Sequence, residues 1–356
     1  MRVWLWLVPV LALALLMVAL IVDAKTWLLA GPCGVALIGA VLVGVHHAEV
    51  VAHRVGEPLG TLVLALSVTA IEAALILSLM FAGGHDTADL PRDAIYAAVM
   101  IICTGVVGLS VLLGGLAHHE QSFRVEGVGA GLAALIVMAV LTLVLPAFTT
   151  TPPAGTYNGP QLAFVAVTSA VLWAIFTFVQ TVRHRDYFIP ATGASNLDVH
   201  AEPPTARAAW TSFGLLLISL VSVVGLAEVL SPAIEHAVEA AEAPRAVVGI
   251  IIAALVLLPE TIAAVRAARA DRLQTSINLA LGSALACIGL TVPVVVLASL
   301  AFGMPLVLGL EPKDIALLAV TLLVSAITLS TGRTYVMQGA VLLVLFAAFL
   351  FLAFVP

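Results

Sequence analysis

Apolar residues run through this chain in long blocks, and the polar residues collect in short breaks between them. A helix that crosses a bilayer needs about 20 consecutive apolar residues. Cutting the chain at its charged, Pro-rich and Gly-rich breaks leaves eleven runs of about that length. They cover residues 3–22, 27–52, 59–82, 94–117, 126–147, 162–183, 209–230, 246–267, 273–302, 313–331 and 335–355. The pattern predicts an all-α polytopic membrane protein of about eleven transmembrane helices, with no room for a soluble domain. The first run, WLWLVPVLALALLMVALIV, lacks a small-residue cleavage pattern and is longer than a signal-peptide core, so it is expected to stay as a helix.

Single carboxylates break the third and eighth blocks. Glu72 lies inside EPLGTLVLALSVTAIEAALILSLM, and Glu260 lies inside VVGIIIAALVLLPETIAAV. A charge near the centre of a spanning helix costs about 2.5–3.5 kcal/mol even on the lenient insertion scale, so such residues face a cavity, a partner or an ion path. No Lys or Arg lies within either helix core to pair with them.

Composition narrows the class. At 62% apolar, 10% charged and a mean hydropathy of +1.19, the chain lies outside the range of soluble globular domains. With the N-terminus placed in the cytoplasm, ten of the fourteen Lys and Arg fall in inner segments, and only Lys25, Arg92, Arg245 and Lys313 fall in outer ones. That asymmetry predicts a multi-pass protein with a cytoplasmic N-terminus. The acidic stretches GGHDTADLPRD and SPAIEHAVEAAEAP are then outer loops. Cys33, Cys103 and Cys287 are scattered through apolar runs and indicate no disulfide framework.

The longest break, RHRDYFIPATGASNLDVHAEPPTARAAW, divides the chain. The expected organisation is an N-terminal helix (1–26), a first five-helix repeat (27–183), a cytoplasmic linker (184–208) and a second five-helix repeat (209–356). An odd number of helices per repeat inverts the second relative to the first. Ala48-Glu49-Val50 ends run two, Ala227-Glu228-Val229 ends run seven, and the next run of each half carries Glu72 or Glu260. Cys103-Thr104 of run four falls opposite Gly282-Ser283 of run nine.

Inverted repeats place a site near the midplane, at interrupted helices. Pro259 supplies an interruption beside Glu260, because proline removes a backbone donor and frees the carbonyl one turn back. Two carboxylates meeting there form a hard oxygen site for Ca2+ or Na+. In low dielectric they cannot both ionise cheaply, so without a cation one of them holds a proton, and cation and proton compete for the same oxygens. Glu49 and Glu228, nearer their helix ends, are candidate accessory acids. Thr69, Thr104, Ser276, Asn278 and Ser283 are candidate supporting ligands, although Ser and Thr in membrane helices also bond to their own backbone. His46, Glu49 and His53 share a helical face that could hold a transition metal, and the clusters His46-His47 and His118-His119-Glu120 could sense pH at the cytoplasmic boundary. No HExxH, phosphate-binding glycine loop or nucleophile motif occurs, so an enzyme and an ATP-driven pump are both disfavoured. A passive cation channel with an acidic pore is the alternative reading. The expected partners are membrane lipid and the transported cations, with no nucleic acid and no cofactor, and the oligomeric state is open.

The segments HHAEVVAHRVGEPLGTLVLALSVTAIEAALILSLM and LVLLPETIAAVRAARADRLQTSINLALGSALACIGLTVP resemble the two signature repeats of the bacterial calcium (sodium, potassium)/proton antiporters. These form part of the calcium/proton exchanger family in the cation/calcium exchanger superfamily. The resemblance implies that Glu72 and Glu260 alternately bind cation and proton, and that Glu49 and Glu228 are accessory acids. It also implies one mobile helix beside a two-by-five core that slides between inward and outward states. Where the broader superfamily has Gly-Asn upstream of each acid, this chain reads Val68-Thr69 and Leu257-Leu258. The linker acids Asp186, Asp198 and Glu202 are balanced by arginines, unlike the acidic stretch of eukaryotic exchangers.

Overall fold

The structure is a computed structural model that describes residues 3–21, 27–56, 59–83, 87–189, 204–240, 244 and 246–355. In a bilayer every backbone N–H and C=O must be satisfied within the segment, so each apolar run becomes helix. The first three are α1 (Trp4–Ile21), α2 (Trp27–Val55) and α3 (Leu59–Gly83). The fourth is a composite of α4 (Leu90–Met100), a π-helical segment (Ile101–Val106) and α5 (Val107–His118). Then follow α6 (Val125–Ala139), which continues as far as Phe148, and α7 (Gly159–Phe178), which continues to Arg183. After the linker come α8 (Ala206–Ala240), α9 (Ala246–Val256) and α10 (Leu258–Arg269). The ninth run is α11 (Leu273–Ala286), a π-helical segment (Cys287–Thr291) and α12 (Val292–Phe302), and α13 (Pro312–Ser330) and α14 (Val336–Phe354) close the chain; the continuations of α6 and α7 also pass through π turns, at Val140–Val144 and Val179–Arg183. Ten helices are long and apolar enough to cross a membrane, and the pair α9 and α10, bent by 54°, makes an eleventh span.

Local sequence sets the ends. Pro91, Pro160, Pro259, Pro293 and Pro312 sit in the first turns of α4, α7, α10, α12 and α13, where a missing N–H costs nothing. Asn158 and Gln161 close a capping box on α7, each side chain accepting from the other's backbone N–H. Gly303 ends α12 at φ 65°, a left-handed conformation that favours glycine.

The helices pack around two hydrophobic cores. In the smaller, α1 lies against α2 and α8, and α2 packs along α8. Gly225 of α8 leaves room for Leu16 of α1, whose side chain a Cβ would strike. The Nε2–H of buried His47 on α2 donates to the Leu5 carbonyl of α1 at 3.0 Å. That carbonyl is the one Pro9 cannot satisfy one turn later. The larger core is built by α4–α7 and α10–α14. The span Leu90–His118 is its centre, with 83% of its most apolar window buried, against 17% for Val336–Phe354 at the periphery. Exposed Trp4, Phe164, Leu297 and Phe351 belong to the apolar exterior that lipid would cover.

The connections pair across the two halves at both ends of the bundle. At one end β1 (Glu120–Ser122), after α5, pairs antiparallel with β2 (Arg333–Tyr335), before α14, in the register Gln121↔Thr334. At the other end the N–H groups of Leu308 and Gly309 donate to the Gly155 carbonyl.

Two sequence expectations change. The stretch SPAIEHAVEA is not a loop but the end of α8, which extends to Ala240 because nothing from Glu228 onward breaks a helix except Pro232, and α8 runs on through it. Residues 241–243 and 245, like 84–86 of the other acidic stretch, lie outside the described residues. Asp89 and Asp93 of that stretch pair with Arg92, at 3.6 and 2.7 Å, so they are not a free acidic face. Of the linker, residues 190–203, including Asp198 and Glu202, lie outside the described residues.

Candidate ion-binding site

Glu72 sits midway along α3 with 6% of its surface exposed. Its Oε1 accepts a hydrogen bond from the thiol of Cys287, 2.7 Å away. Cys287 opens the π-helical segment between α11 and α12, and that segment packs on α3. A π turn is wider than an α turn and occurs mainly as a single insertion, often at functional sites.

Glu260 lies in the first turn of α10, just past the bend. Pro259 cannot donate to the Leu255 carbonyl. The turn is re-formed by Thr261, whose N–H and hydroxyl both donate to the carbonyl of Leu257. Glu260 Oε2 is buried and has no hydrogen-bond partner. Its carboxylate feels the charges of both Glu72 and Glu49, so tertiary packing brings three acids from two halves of the chain into one field.

A cavity of about 480 Å³ has Glu260, Arg185 and Ile189 on its lining. Its walls are α3 (Leu64, Ala65, Val68, Thr69), α7 and its continuation (Trp173, Phe176, Thr177, Gln180, Thr181) and α11 (Thr275, Asn278, Leu279, Gly282, Ser283, Ala286). Arg185 and Ile189 are exposed, so the cavity opens at the end where α7 gives way to the linker, and Glu260 is the acid on its lining. Glu72 lies behind the wall rather than on it.

The supporting candidates separate cleanly. Thr69 and Ser283 line the cavity. Asn278 lines it too, but both ends of its amide are engaged: Oδ1 accepts from Gln274, and Nδ2 donates to the carbonyl of Phe188 at 2.6 Å. In this state it holds the segment Arg185–Phe188 against α11. Thr104 is buried off the cavity, and its hydroxyl donates to the carbonyl of Met100 in its own helix. Ser276 is buried and does not line the cavity either. Glu49 is 54% exposed, with His46 Nδ1 at 3.7 Å, and Glu228 is exposed on α8. Among the described residues no three His, Cys, Asp or Glu side chains converge closely enough to hold a metal, so the face of His46, Glu49 and His53 does not form one.

Sequence reading missed Cys287 as a partner of Glu72. Cys103-Thr104-Gly105 and Cys287-Ile288-Gly289 each lie within a π-helical segment of their run. The shared Cys-x-Gly in runs four and nine is the signal that could have singled out Cys287.

The model of the family described as "Sodium/calcium exchanger protein" matches residues 24–182 and 211–355. The y4hA protein of Sinorhizobium fredii, whose name proposes an ionic transporter, is 46% identical over 99% of this chain and 96% of its own length. The sodium-potassium/proton antiporter ChaA of Escherichia coli is 36% identical over 87% of this chain and 84% of its own. Among solved structures, the Ca2+/H+ antiporter protein YfkE superposes with a TM-score of 0.74 over 99% of both chains, at 14% identity, a likeness of fold.

Proposed function

The chain belongs to the sodium/calcium exchanger protein family, and from that membership we propose a secondary antiporter that exports cytoplasmic Ca2+ for entering H+ through Glu72 and Glu260. It is a multi-pass membrane protein and a cation exchanger, not an enzyme. Na+ and K+ are further candidate substrates, since the E. coli relative is named for them and YfkE for Ca2+.

One observation carries the reading: Glu260 presents an unpartnered, buried oxygen on the lining of a cavity, within electrostatic reach of Glu72. An isolated carboxylate oxygen there is satisfied either by a cation or by a proton. Both cannot occupy the same lone pairs, so arrival of one ion displaces the other, and a gradient of either can drive the other. Thr69 and Ser283 offer neutral oxygens in the same cavity as Glu260.

With the N-terminus in the cytoplasm of a bacterial inner membrane, the cavity mouth at Arg185 faces inward, and this state receives cytoplasmic cation. The cross-pairing of connections at opposite ends fits two five-helix halves, 27–183 and 209–356, related by inversion. On this reading α1, α2 and α8, with a core of their own, move against the larger core, and the cavity mouth shifts from one face to the other.

Proteoliposomes loaded with a pH-sensitive dye test this. Ca2+, Na+ and K+ are added separately across a preset proton gradient with the voltage clamped. The expected result is cation-triggered proton movement in the wild type and none above background in Glu72→Gln or Glu260→Gln. Cation flux indifferent to the proton gradient would instead identify a passive channel.

A further inference from the structure

Among the described residues are four π-helical segments, and two of them, each carrying a cysteine, occupy matching places. The segment Cys287–Thr291 of the second half packs on α3, which carries Glu72, and the segment Ile101–Val106 of the first half packs on α10, which carries Glu260. Each contains a Cys-x-Gly: Cys103-Thr104-Gly105 and Cys287-Ile288-Gly289. Both thiols are buried, at 2% and 1% exposure. They differ in one respect, since Cys287 donates to Glu72 Oε1 while Cys103 makes no hydrogen bond. The two acids differ in the complementary respect: Glu72 is capped and off the cavity, whereas Glu260 faces the cavity with Oε2 unpartnered.

We propose that Cys103 and Cys287 are a matched pair of positioning residues, each thiol capping the acid of the opposite half when that acid is withdrawn from the open cavity. In the state seen here Cys287 caps Glu72 and Glu260 is free to receive the ion. In the opposite-facing state the roles exchange, with Cys103 capping Glu260 and Cys287 released. A thiol suits this task because S–H is a weak, uncharged donor. It holds a carboxylate oxygen in one place and yields it when a proton or cation claims the lone pair. The π turn supports it by setting the cysteine on a wider turn facing the neighbouring helix. The proposal rests on the reading that Glu72 and Glu260 carry the exchange.

Infrared difference spectra of the full chain in lipid, taken between wild type and each of Cys103→Ser and Cys287→Ser, resolve the S–H stretch that each substitution removes. Cys33 is common to all and cancels. The band lost in Cys287→Ser is expected at lower frequency, as for a hydrogen-bonded thiol, and the band lost in Cys103→Ser at the free-thiol position. Two bands both at the free-thiol position overturn the cap. In proteoliposomes, Cys287→Ala and Cys103→Ala are each expected to lower exchange about tenfold, the weight of one hydrogen bond to a charged group. Cys287→Ser and Cys103→Ser, which keep a donor, should restore it. Cys103 makes no hydrogen bond in this state, so a merely structural role predicts a silent Cys103→Ala, and wild-type exchange by that variant overturns the alternation. The spectra need no transport, so they read the cap even if Glu72→Gln were to leave exchange intact and so remove the functional reading.

Discussion

Glu72 and Glu260 are the same side chain in different surroundings. One has a protein donor on Oε1 and lies behind the cavity wall, while the other has a buried oxygen with no partner and lies on it. Of the two, only Glu260 is on the cavity lining. Glu49 sends its charge toward Glu260 from an exposed position, where water screens most of its effect. Glu49→Gln is thus expected to lower exchange only about twofold, in the range of a screened surface charge, while Glu260→Gln abolishes it, as vesicle assays of the two variants side by side would show. Asn278 lines the cavity with both ends of its amide engaged by the protein. Asn278→Ala takes the acceptor from Gln274 Nε2 and the donor from the Phe188 carbonyl and should cost about 1–3 kcal/mol of stability. A lower thermal midpoint in detergent, with cation affinity near wild type, would support that role, and a large rise in KM with unchanged melting would contradict it.

Proline does opposite work in two elements. Pro259 breaks the eighth run, and the 54° bend turns Glu260 onto the cavity. Alanine at that position restores a donor for Leu255 and lets α9 run into α10, so Pro259→Ala should fold at least as stably as the wild type yet exchange at least about tenfold more slowly, the factor that 1.4 kcal/mol of displaced site geometry produces. Melting curves and exchange rates on the same preparation separate the two effects. Pro9 leaves the Leu5 carbonyl open inside α1, and His47 closes it from α2. A carbonyl can only accept, so the His47 proton sits on Nε2. His47→Phe keeps the bulk, removes the donor and should cost about 1–3 kcal/mol, read as a lower melting temperature.

At the scale of the whole molecule, two cores meet along α3 and α9, and the cavity opens beside that seam. A cysteine at Thr181, on the cavity wall, should react quickly with a membrane-impermeant thiol reagent applied from the cytoplasmic face, while the buried native cysteines give little background. Reaction only from the opposite face would reverse the orientation assigned to this state. The hydrophobic blocks fixed the eleven spans, because a membrane segment must satisfy its backbone alone and must be about 20 residues long to do so. The isolated charges marked Glu72 and Glu260, because a charge in such a block is too costly to be incidental, and Pro259 marked the bend, because its missing N–H is a local fact. The extension of α8 past Glu228 was not legible in the hydrophobic blocks, because the stretch beyond the apolar run is polar and carries Pro232, which α8 runs through. Whether a hydroxyl or amide near an acid faces a cavity, its own backbone or a neighbouring chain segment was also out of reach, as Thr69, Thr104 and Asn278 each illustrate. The contact of Cys287 with Glu72, residues far apart in the chain, and the division of the acids into one capped and one open, came from the tertiary structure alone. Sequence periodicity sets which residues share a helix face, whereas only the packing of one helix against another sets what that face meets.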